Sequence, residues 1–102
     1  MQNKTITIIN KLGLHARAAA KFVQLASSFD CEINVSLAGK KVNGKSIMGI
    51  MMLAAAKGSS IQITTAGGDE DEAISKIETL ILDRFREGEW LLHYREWAYP
   101  EV

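Results

Sequence analysis

The hydrophobic pattern of this chain switches repeatedly between a period of two and a period of about 3.6, and that alternation limits the folds open to it. Cys31 to Leu37 sets Ile33, Val35 and Leu37 on one side and Glu32, Asn34 and Ser36 on the other, as a half-buried strand requires. Thr5 to Ile9 and Ser60 to Ala66 alternate in the same way, with Ile6, Ile8, Ile61 and Ile63 inward. Ala16 to Ser28 instead reads as a helix, because Ala19, Phe22, Val23, Ala26 and Phe29 fall on one helical face. Ala73, Ile74, Ile77, Leu80, Ile81 and Phe85 give a last helix its buried stripe.

Turn residues punctuate these segments. Ala38-Gly39 makes a hairpin connection to a brief return strand, Lys40-Lys41-Val42, and Asn43-Gly44 is a turn signal. Ser46 is placed to cap a short helix from Ile47 to about Ala55, which Lys57-Gly58 ends. Gly67-Gly68 breaks the strand before it. Asp69 and Glu72 form an Asp-x-x-Glu start resembling a capping box, and the acidic run Asp69 to Glu72 suits the positive end of a helix better than a metal site. The order is β-α-β-β-α-β-α. Antiparallel strands with helices on one face give an open-faced two-layer α+β sandwich.

With 102 residues, nearly half of them hydrophobic, the chain suits one domain with a real core. Its formal net charge of zero argues against binding nucleic acid through the phosphate backbone. No apolar run approaches a membrane span, so no membrane insertion is expected. The first residues show no signal-peptide pattern, and the single cysteine, Cys31, cannot form an internal disulfide. A cytoplasmic setting fits these features. Cys31 sits at the start of a strand with no activating motif and reads as a structural thiol.

The chemistry concentrates at Gly13-Leu14-His15-Ala16-Arg17-Ala18-Ala19-Ala20-Lys21-Phe22, where a turn becomes an alanine-rich helix. A helix start carries unpaired N–H groups and partial positive charge, which together bind phosphate. An imidazole there can take a phosphoryl group on one ring nitrogen, with Arg17 as a forked donor to its oxygens. The competing reading makes His15 a polar surface residue and Arg17 a solvated charge. His15, His93 and Cys31 have no metal-ligand spacing, and no pairing of a histidine with a nucleophile suggests a hydrolase.

Gly13-Leu14-His15-Ala16-Arg17, followed by Ala19-Ala20-Lys21-Phe22-Val23, resembles the active-site segment of the HPr family, histidine phosphocarriers of the bacterial phosphoenolpyruvate-dependent phosphotransferase system. Asn43-Gly44-Lys45-Ser46-Ile47-Met48-Gly49-Ile50-Met51 resembles that family's regulatory-serine segment, at the matching distance. The similarity runs from about Thr5 to about Phe85. It implies a four-stranded antiparallel sheet in the order 1-4-2-3 with three helices on one face, in a domain spanning residues 1–88. It implies that His15 accepts a phosphoryl group on Nδ1 from phospho-enzyme I and passes it to a IIA-type protein, without metal or cofactor. Such a protein is a carrier rather than an enzyme. The family's usual proline after the arginine is replaced by Ala18, which restores an N–H to the helix start.

Ser46 therefore has two compatible readings. It is an N-cap, and the resemblance makes it a target of a serine kinase/phosphorylase in bacteria that have one. The helix after it is too apolar for one buried face: Ile47, Met48, Ile50, Met51, Met52 and Leu53 must divide between core and surface. By family correspondence, Ile47, Met48 and Met51 with Ala16, Arg17 and Ala20 form the partner-binding face around His15. The other function open to this sequence is a regulatory docking module, nitrogen-related or signalling, that acts by binding alone. The segment 89–102 departs from the family. Trp90, His93, Tyr94 and Trp97 share a face if it is helical, and it could extend the last helix, fold back or make an oligomer contact.

Overall fold

The computed structural model describes residues 1–86. The aromatic segment read at 89–102 lies outside these residues. The elements are β1 (Gln2–Thr7), α1 (Ala16–Ala26), β2 (Glu32–Leu37), β3 (Lys40–Asn43), α2 (Ile47–Met52), β4 (Ser60–Ala66) and α3 (Glu70–Leu82). The strands form one sheet in the order β1-β4-β2-β3, and every neighbouring pair is antiparallel. β1 and β2 thus run parallel with β4 between them, as do β3 and β4 with β2 between them. Parallel strands need a crossover, which α1 and α2 supply. All three helices cover one face, as the sequence leads one to expect.

The register builds the core. Ile6 lies opposite Ile61, and Val35 sits between Ile63 and Val42. The inward side chains Ile6, Ile33, Val35, Ile61 and Ile63 meet Phe22 from α1, Ile50 from α2, and Ile74, Ile77 and Ile81 from α3. β1 begins and ends earlier than its pattern suggests. Ile8 is still fully buried beyond it, its N–H donating to the Ser59 carbonyl at 2.8 Å and its carbonyl accepting from Gly58 N at 2.8 Å. The Ala38-Gly39 hairpin takes positive φ at both central residues, 51° and 84°, the twist that a two-residue connection favours.

Helix ends and caps also differ from the sequence reading, and α1 stops at Ala26 rather than Ser28. α2 stops at Met52, because Ala54 turns left-handed with φ 51°. α3 ends at Leu82, and Phe85 enters the core through a left-handed turn in which Arg84, Phe85 and Arg86 have φ of 54°, 53° and 59°. Asp69 stands at the N-cap of α3, but its side chain makes no cap bond. Its two carboxylate oxygens instead accept from the N–H groups of Asp30 and Cys31, each at 2.9 Å. These two donors at the entrance to β2 take the carboxylate in place of the helix's own N–H groups, of which Glu70 N donates to the Gly67 carbonyl at 3.2 Å. Glu70, rather than Glu72, reaches back, accepting from Gly67 N at 3.1 Å.

The Asp30 N–H, then the contacts with Cys31, hold the Asp69 carboxyl below its ordinary range. A lowered native pKa stabilises the fold above the unfolded carboxylate value, near pH 4, and the contribution is lost as pH falls through the native value. Asp69→Asn is expected to be less stable than wild type at neutral pH, with the gap closing in acid. Urea unfolding midpoints across pH check this, and a gap that stays constant into acid contradicts it.

Candidate functional site

The turn between β1 and α1 is held by backbone contacts on both sides. Asn10, fully buried, donates from Nδ2 to the Gly13 carbonyl at 2.9 Å. Gly13 N donates to the Asn10 carbonyl at 3.3 Å, and Leu14 N donates to the Ala55 carbonyl at 2.8 Å. Gly13 has φ 68°, and a Cβ there would lie 2.6 Å from the Ala55 oxygen. Glycine is required for both reasons. The turn is thus pressed against the segment that follows α2.

His15 is the N-cap of α1, with extended backbone at φ −83° and ψ −176°. Its carbonyl accepts the first helical bond, from Ala19 N at 2.8 Å. Its Nδ1 accepts from Arg17 N at 3.3 Å. Acceptance at Nδ1 leaves the proton of the neutral ring on Nε2 and turns the Nδ1 lone pair toward the helix start. The N–H groups of Ala16, Arg17 and Ala18 precede the first helical bond, and no carboxylate occupies the first turn of α1 to offset its positive end. The first turn of α3, by contrast, carries Glu70, Asp71 and Glu72. The α1 terminus is kept clear of competing negative charge and capped by an imidazole, as the α2 terminus is kept clear and capped by the Ser46 hydroxyl. Ala18 is fully buried, so its methyl joins the core.

Arg17, Ala20 and Lys21 of α1 and Ile47 of α2 line one shallow depression. Ala16, Arg17 and Ala20 are exposed. On α2, Ile47, Met48, Met51 and Met52 face solvent while Ile50 and Leu53 are buried, the division that the apolar composition demanded. Ser46 caps α2, its hydroxyl oxygen accepting from Gly49 N at 3.1 Å. It stands at the opposite end of α2 from the link to Leu14, which is made by Ala55 beyond the helix. The structure therefore brings Arg17, Ala20 and Ile47 together, and Ser46 precedes Ile47 at that same end of α2.

Two positions escaped the sequence reading. Asn10 could have been found, since an asparagine three residues before a glycine is a turn signal. The Ala55 carbonyl could not, because nothing in Ala54-Ala55-Ala56 announces a left-handed residue or a partner some forty residues away. Among the described residues no group of three or more His, Cys, Asp or Glu could hold a metal ion, and no helix is long and apolar enough to cross a membrane.

The Ser46 cap yields a stability expectation. Ser46→Ala removes the oxygen that meets Gly49 N and should cost about 1 kcal/mol, read from a urea titration. An unchanged midpoint would show that the cap bond contributes nothing.

Comparison with known proteins agrees with this geometry. A family model described as the PTS HPr component phosphorylation site matches residues 2–83. The phosphocarrier protein HPr of Cupriavidus necator is 53% identical over 89 residues, covering 87% of this chain and all of that protein. That of Pseudomonas aeruginosa is 55% identical over 85 residues, covering 82% of this chain and 94% of that one. An HPr structure from Thermoanaerobacter tengcongensis superposes with a TM-score of 0.83 at 50% identity, over 85% of this chain and 98% of that one. A histidine-capped helix start on an open-faced sandwich, matched over nearly its whole length, places this chain in the HPr family, the phosphocarrier proteins of the phosphotransferase system, which are carriers rather than enzymes.

Proposed function

We propose that His15 is the residue that carries the phosphoryl group, accepting it on Nδ1 from phospho-enzyme I and delivering it to a IIA-type protein. The observation that carries this reading is the Nδ1 acceptor bond at the α1 terminus. The lone pair that meets the Arg17 N–H is the one that attacks phosphorus. Once the N–P bond forms, that N–H meets a phosphoryl oxygen instead, and the Ala16 and Ala18 N–H groups lie beside it. The Arg17 guanidinium adds a forked donor and a permanent positive charge. In delivery the N–P bond breaks, its electron pair returns to Nδ1, and phosphorus passes to the acceptor's nucleophile.

The surface around His15 suits docking. Ala16 and Ala20 are small and exposed, so a partner backbone can approach closely. Ile47, Met48 and Met51 supply adaptable apolar area for two structurally different partners. Residues 1–88 form the unit that does this. Ser46 lies on the rim, where a phosphate from a serine kinase/phosphorylase would cap α2 favourably while putting negative charge on the docking face.

Phosphoryl transfer from labelled phosphoenolpyruvate through purified enzyme I tests the central assignment. Label on wild type, lost in acid and kept in base, and absent from folded His15→Ala, is the expected outcome. No label on wild type beside an active control carrier would favour the docking-module function instead. Two variants test the face. Met48→Glu should weaken binding to enzyme I about tenfold. Ser46→Asp should keep the fold, because aspartate is also a good cap, and weaken the same binding. Unchanged affinity in both, by titration calorimetry, would remove α2 from the docking surface.

A further inference from the structure

The sulfur atoms of this chain are divided sharply by exposure. Cys31 is 2% exposed, and burial and the adjacent Asp69 carboxylate push its thiol pKa up, which suppresses the reactive thiolate. Three of the four methionines sit on the six residues of α2, with Met48 70%, Met52 62% and Met51 41% exposed. Met51 and Met52 lie three and four residues after Met48, so the thioethers are neighbours on the helix surface. The packing of α2 rests on Ile50 and Leu53, on its other side. A change to these sulfurs therefore alters the surface without emptying the core.

We propose that Met48, Met51 and Met52 form a reversible oxidation site, at which a peroxide converts the apolar face of α2 into a polar one and so weakens docking. The docking consequence rests on the role of that face proposed above. In the step, a lone pair on the thioether sulfur attacks one peroxide oxygen. An S–O bond forms and the O–O bond breaks. Sulfur loses two electrons, and the departing oxygen takes the proton and leaves as water. Reduction by a thiol-dependent methionine sulfoxide reductase returns the thioether and water, with two thiols becoming a disulfide. The sulfoxide is a strong hydrogen-bond acceptor where the partner surface offers apolar contact, so it must be desolvated on binding. Leucine fills nearly the same volume and cannot be oxidised.

The test treats purified protein with hydrogen peroxide, maps the added oxygen by peptide mass, and measures phosphoryl acceptance from enzyme I. Oxygen on the α2 methionines while Cys31 stays a thiol, and a KM for the carrier raised about tenfold at unchanged kcat, is the expected result. Methionine sulfoxide reductase with a dithiol should restore the KM. The triple variant Met48→Leu, Met51→Leu, Met52→Leu, compared with its own untreated rate, should show no response to peroxide. Cys31 oxidised before the α2 methionines would overturn the site. Oxidised α2 methionines with an unchanged KM would overturn its effect on docking. Failure of untreated wild type to accept phosphate overturns the carrier assignment itself, while the oxygen map still decides the site.

Discussion

The hydrogen bond from Leu14 N to the Ala55 carbonyl joins the two halves of the site. Without it, the turn that ends in His15 and the segment that follows α2 would be separate surface loops, each free to move. With it, the start of α1 and the end of α2 share one backbone junction. Gly13 exists to let that junction close, since a side chain there would meet the Ala55 oxygen. Ala54 takes a left-handed conformation, φ 51°, to present the carbonyl. A non-glycine residue in this region costs about 1 kcal/mol, and the bonds and packing around Ala55 must offset it.

This junction explains how the half-buried imidazole of His15 stays oriented. A closed pocket would fix such a ring by enclosing it on all sides. Here its backbone is fixed from behind, through Asn10, Gly13 and Leu14, and the ring is left to cap its own helix. Orientation comes from the main chain, and the ring stays half-buried rather than enclosed, with Nε2 buried.

Much of this was legible from the chain alone, because most of it is local. Alternation gave β4 its bounds, the alanine-rich run gave the start of α1, and the Ser46 cap follows from a hydroxyl three residues before the N–H it meets. The excess of apolar residues on α2 correctly required an exposed half. What could not be read is what depends on distant partners. Asp69 matches a capping pattern, yet its carboxylate serves Asp30 and Cys31, whose position follows from sheet order. Phe85 fits the helical stripe of α3, yet reaches the core through a left-handed turn outside the helix. Helical and non-helical routes put the same residue in the same core, and periodicity cannot separate them. The strand order itself came from family likeness, since alternation fixes which face is buried but not which strand lies beside which.

The strand order also bears on how the molecule is made. β1 has one neighbour in the sheet, β4, and β4 is the last strand in chain order among the described residues. Ile8, which leads into the His15 turn, likewise bonds only to Gly58 and Ser59 among the backbone contacts beyond the sheet. A chain emerging from the ribosome therefore exposes the N-terminal strand and the helix start behind it while half the protein is added. Closing so long a loop is slow, because its entropy is lost before the contacts that reward it form. The histidine-bearing turn is encoded early and assembled late, so truncated nascent chains carry its sequence without its geometry.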